Sequence, residues 1–70
     1  MNGLINMSRI VTVAITQKAD RWFLVFNTGR VNYGMEVPSY TEAAELLDFI
    51  MKKRPAYFRV KTPLLDVNKL

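Results

Sequence analysis

The stretch Arg21-Trp22-Phe23-Leu24-Val25-Phe26-Asn27 places five large apolar side chains in a row. Successive residues of a β-strand point to opposite sides of a sheet, so a strand of this composition is covered on both faces rather than half in water. It belongs at the centre of a sheet, with one face against a helix and the other under a second cover. The identity of that second cover is the strongest pointer to function in the chain.

Before this stretch, Arg9 to Thr16 alternates Val11, Val13 and Ile15 with Thr12, Ala14 and Thr16, the period of a half-buried strand. Gln17-Lys18-Ala19-Asp20 is a polar connection of hairpin length. After it, Asn27-Thr28-Gly29 turns the chain into a third strand, Arg30 to Val37. Val31, Tyr33, Met35 and Val37 lie on its core side and Arg30, Asn32, Gly34 and Glu36 on the other. Gly34 reads as a strand glycine over which a large cross-strand neighbour lies.

Which apolar residues of the central strand share the core side depends on the turn, because a one-residue change of register exchanges the faces. If Gly29 is a left-handed bulge residue, Val25 pairs with Val31 and Phe23 with Tyr33, and Trp22, Leu24 and Phe26 occupy the open face. If Thr28 and Gly29 form a two-residue turn, Phe26 pairs with Val31 and Leu24 with Tyr33, and Phe23 and Val25 lie outside. The bulge is favoured, because Thr suits poorly the positive φ that a type I′ turn demands.

Ser39 followed three residues later by Glu42 predicts an N-cap, and a helix runs from Tyr40 to about Lys53. Ala43, Leu46, Leu47 and Ile50 form its buried stripe, Lys52, Lys53 and Arg54 suit the negative end of its dipole, and Pro55 stops it. Ala56 to Thr62 is expected to be a fourth strand, with Phe58 and Val60 inward and Tyr57, Arg59 and Lys61 outward. Leu64 to Leu70 is too apolar for a plainly disordered segment, and folds back over the open sheet face or reaches toward a partner.

The expected fold is α+β, in the order β-β-β-α-β, with one helix packed on one face of a four-stranded, mainly antiparallel sheet. Residues 1–70 form a single small domain, with residues 1–8 and 63–70 less regular. A core of this size rarely supplies more than about 3–5 kcal/mol. Leaving two or three of the central apolar side chains in water would forgo about 2 kcal/mol each, so the second face calls for a partner, a second copy or the closing segment.

Ten Lys and Arg against six Asp and Glu give a net charge of +4, which favours anionic partners. No cysteine is present, in keeping with a reducing cytoplasm. Residues 1–8 lack the pattern of a signal peptide, and no apolar run is long enough to span a bilayer, so no membrane partner is expected. With no His, no Cys and only Ser8 and Ser39 as serines, a hydrolytic triad cannot be assembled; no cofactor is expected and an enzyme is disfavoured. Glu42, Glu45 and Asp48 read as a solvated acidic stripe rather than a cation site.

Under the favoured register the open face combines Trp22, Leu24, Phe26, Arg30 and Asn32 with Tyr57, Arg59 and Lys61. Aromatics interleaved with basic residues suit stacking on bases and neutralising phosphates. The competing reading makes Arg59 and Lys61 an ordinary solvent side and covers the aromatics with Leu64, Leu65, Val67 and Leu70.

Arg21-Trp22 on a strand, Gly29 at a hairpin, and Ser39, Glu42 and Ala43 opening a helix resemble the arm-type DNA-binding domain of tyrosine integrases. That resemblance implies a sheet inserted in a DNA groove. Glu36-Val37-Pro38-Ser39-Tyr40, followed by Glu42-Ala43 and Glu45-Leu46, is similar to the strand-to-helix passage of small phage inhibitors of bacterial RNA polymerase, which act by occupying a protein surface. Both imply a small non-enzymatic protein of a phage or mobile element. The expected partner is therefore nucleic acid or a host nucleic-acid-processing protein, with a homodimer through the same face as the remaining option.

Overall fold

The computed structural model describes residues 3–70. Six strands and one helix follow in the order β1 (Leu4–Asn6), β2 (Thr12–Lys18), β3 (Arg21–Asn27), β4 (Asn32–Val37), α1 (Tyr40–Lys53), β5 (Tyr57–Arg59) and β6 (Leu64–Asp66). Short 3₁₀ turns at Met7–Arg9 and Val67–Lys69 follow β1 and β6. The expected α+β class is present: α1 lies on one face of a four-stranded antiparallel sheet of order β2-β3-β4-β6.

The fourth strand of that sheet is Leu64–Asp66, not Ala56–Thr62. Residues Tyr57–Arg59 instead pair with Leu4–Asn6 in a separate two-stranded ribbon. Phe58 and Ile5 turn inward from the ribbon onto the core, and the Phe58 ring lies 5.5 Å from that of Phe26. Pro63 separates the two short strands, and Thr62 donates its hydroxyl to the Glu36 carbonyl at 3.3 Å, which leads the chain back to the edge of β4.

The hairpin between β3 and β4 adopts neither of the two registers considered from sequence. Asn27 pairs with Asn32, Phe26 with Tyr33, Leu24 with Met35 and Trp22 with Val37, leaving Thr28–Val31 as a four-residue loop. The Thr28 N–H donates to the Val31 carbonyl at 3.1 Å, and local side chains add to this closure. The Asn27 carboxamide accepts the Gly29 N–H at 2.6 Å, the Thr28 hydroxyl accepts the N–H groups of Arg30 and Val31 at 3.3 and 3.2 Å, and the Asn27 and Asn32 side chains bond to each other. Gly29 takes φ +93°, which a Cβ would penalise. Alternation had drawn Arg30 and Val31 into the strand, whereas Thr28 and Asn27 hold them in the loop.

The faces are thereby those of the alternative reading. Leu24 and Phe26 are fully buried under α1 with Met35, Val37, Ala43 and Ile50. Phe23 and Val25 point to the other side, where Val67 and Leu65 pack on them. Gly34 admits this cover, since a Cβ there would lie 2.5 Å from Val67 and 3.2 Å from Phe23. The Lys18 ammonium donates to the Val67 carbonyl at 2.9 Å, tying the closing segment across the sheet to the opposite edge strand. The Arg21 guanidinium lies 5.3 Å from the Phe23 ring centre and makes a bidentate bond to Glu36 at 2.8 and 2.9 Å.

Candidate functional site

The eight residues expected to share one open face do not converge. Leu24 and Phe26 are in the core, and Trp22 is half-buried on the same side, its ring meeting Tyr40 edge-on at 5.4 Å. These three therefore cannot form the open surface: the four-residue loop sets the parity of the β3–β4 pairing and turns them toward α1. Arg30 is exposed at the tip of that loop, and the Asn32 side chain is engaged by Asn27. Tyr57 and Arg59 alternate with inward Phe58 on the ribbon, not on the four-stranded sheet. Lys61 lines a groove of about 440 Å³ beside Glu36, Glu42 and Glu45, in mixed charge.

A larger concavity lies at the other end of the helix, and the local sequence explains it. Arg54 caps α1 in the left-handed conformation (φ 45°, ψ 58°), its N–H donating to the Ile50 carbonyl at 2.9 Å. Pro55 cannot extend the helix, and the chain leaves sideways. The Ala56 carbonyl accepts the Met7 N–H at 3.0 Å, which holds the 3₁₀ turn Met7–Arg9 facing the helix end. The Asn6 carboxamide caps that turn, accepting the Ser8 N–H and hydroxyl at 3.1 and 2.7 Å.

Between turn and helix end is a groove of about 860 Å³. Ile10 and Ile50 lie at its floor side; Val11, Met51 and Tyr57 line it while remaining 68%, 67% and 58% exposed. Large apolar side chains rarely gather in water without a use. Arg54 lines the groove, Arg9 stands between the lining residues Ser8 and Ile10, Lys52 and Lys53 occupy the last helical turn, and Arg59 follows Tyr57 on the same side of β5.

These cations are five of the ten in the chain, and no Asp or Glu lines the groove among the described residues. Of these five, only Lys52 is salt-bridged among the described residues, to Asp48 at 3.2 Å, and both partners are well exposed. The helix C-terminus adds a negative partial charge, which favours cations here. No group of metal-binding side chains occurs among the described residues, and the Ser8 hydroxyl is spent on Asn6. The arrangement can stack, neutralise anions and bury apolar surface.

Sequence reading missed Met51, Val11, Ser8 and Arg54 as a group. Met51 could have been noticed as an apolar residue off the buried helical stripe, but its proximity to Val11 depends on the β1–β5 ribbon, which no local pattern announces. No family model, no curated protein and no solved structure matches the chain. No helix among the described residues is long and apolar enough to cross a membrane.

Proposed function

We propose that the chain is a small non-enzymatic binding protein of the phage or mobile-element kind, working in the cytoplasm of a host cell on nucleic acid or a nucleic-acid-handling complex. Its contact surface is the groove at the helix C-terminus, in place of the sheet face. The single observation that carries this reading is a groove lined by an exposed tyrosine, Tyr57, and by Arg54, with four further cations next to lining residues in the sequence or on the same side of β5, and with no acid in the lining among the described residues.

Single-stranded nucleic acid fits this chemistry best. Bases stack on an exposed aromatic ring with little regard to sequence, worth about 1–3 kcal/mol per base, while Lys and Arg along the rim follow the phosphates. Tyr57 is the stacking residue, Arg54 and Arg59 take the adjacent phosphates, and Arg9, Lys52 and Lys53 extend the positive field.

Anisotropy of a labelled oligothymidylate titrated with protein tests the proposal. Contact with three or four phosphates gives a slope of log affinity against log salt of roughly −2 to −3. Tyr57→Ala weakens binding at every salt concentration, and Arg54→Ala reduces the slope by about one phosphate's share.

A protein partner is the second reading, favoured by the exposure of Val11 and Met51 beside Tyr57. On that reading salt matters little, and Met51→Ala matters more than any of the cations.

A further inference from the structure

The two edges of the four-stranded sheet are built differently. The β6 edge is blunted: it is three residues long, follows Pro63 and runs directly into a 3₁₀ turn. The β2 edge is seven residues long, and from Thr12 to Gln17 it carries no charge and no proline. Its one charged residue, Lys18, is drawn onto the Val67 carbonyl and does not guard the edge.

The hairpin leading out of β2 fixes which backbone groups are left over. Ala19 and Asp20 both take positive φ, at 52° and 61°, so the turn is of type I′ and its closing pair Lys18–Arg21 is hydrogen-bonded. Alternation then spends the N–H and C=O groups of Thr16, Ala14 and Thr12 on β3. Those of Val13, Ile15 and Gln17 point away from the sheet, where no strand meets them among the described residues. Val13 and Ile15 also remain half-buried on the helix side, where no further strand completes their cover among the described residues.

We propose that this edge is an interface for a second copy of the chain, pairing β2 with β2 antiparallel about a two-fold axis near Ile15. Each outward N–H then meets an outward carbonyl, and the two sheets become one with both helices on the same side. The contact is self-complementary: Val13 faces Gln17 of the other copy, Ala14 faces Thr16, and Lys18 faces Thr12, so no like charges oppose one another. The same contact completes the cover over Val13 and Ile15. A charged foreign strand would gain no ion pair from an edge of this composition.

Sedimentation equilibrium from low micromolar to millimolar protein, with hydrogen exchange at the ends of that range, tests the proposal. The expected result is a species of twice the 8.1 kDa chain mass at high concentration, with the amides of Val13, Ile15 and Gln17 becoming protected as it forms. The double variant Ala14→Lys, Thr16→Lys sets like charges opposite each other on the solvent-facing side of the strand. It weakens the dimer about tenfold or more with an unchanged circular dichroism spectrum. A chain that stays at 8.1 kDa while those amides exchange freely overturns the proposal. So does a dimer that leaves them unprotected, or one that the lysine pair does not weaken.

Discussion

Val67 occupies the hollow that Gly34 leaves beside Phe23: a Cβ at position 34 would stand 2.5 Å from Val67 Cγ2. The closing segment is thus a fitted cover for the second face of β3, and the glycine is required by contact rather than by backbone conformation. Gly34→Ala forces Val67 off the sheet and costs about 1–3 kcal/mol. Val67→Ala alone costs about 1–2 kcal/mol from lost apolar burial. In the double variant the two costs fall short of additive, because the clash has been removed, and urea unfolding of the four proteins measures that coupling.

The Arg21–Glu36 pair lies next to the same cover. The bidentate hydrogen bond from Arg21, aided by its charge, holds the Glu36 carboxyl below its ordinary value, although partial desolvation opposes the shift. A depressed carboxylate contributes stability above its unfolded pKa, about 4.3, and that contribution disappears as pH falls through the lower folded value. A carboxyl-carbon NMR titration is expected to place Glu36 below the model-peptide value, and Arg21→Ala is expected to return it there.

Ala19 at φ 52° and Asp20 at φ 61° fill a type I′ turn with residues that suit it imperfectly. Ala19→Asn combined with Asp20→Gly relieves this and raises stability by about 1 kcal/mol. Thermal unfolding reads the gain directly; a lower Tm would mean that the turn is not of this type in solution.

Helix and caps were legible in the sequence because their causes are local. The Ser39 hydroxyl accepts the Glu42 N–H at 3.2 Å, and α1 spans Tyr40–Lys53 as the capping residue and Pro55 imply. The covered second face of β3 was legible too, from five apolar residues in a row. The register was not, since it rests on Thr28 and Asn27 side chains closing a four-residue loop in which Val31 still fits the strand alternation. Nor was the exchange of roles between Tyr57–Arg59 and Leu64–Asp66 legible, because pairing with Leu4–Asn6 is a long-range choice between two segments of only three residues each. The eight residues expected as one surface scattered for these two reasons.

Stability and binding are expected to separate along this corrected division. Leu24→Ala, in the core under α1, costs about 2–5 kcal/mol. Tyr57→Ala, on the exposed side of the ribbon, changes stability by only about 0.5 kcal/mol while weakening oligonucleotide binding. Denaturant midpoints and anisotropy on the same two variants show whether the separation holds.

The most direct measurement is a ¹⁵N NMR titration of the protein with a short single-stranded oligonucleotide at low salt. The groove account predicts shifts concentrated at Ser8, Met51, Arg54 and Tyr57, reversed on adding salt, with Phe23, Val25 and Gly34 unmoved beneath Val67. Shifts centred on the sheet face around Phe23, or no shifts at all, would contradict it.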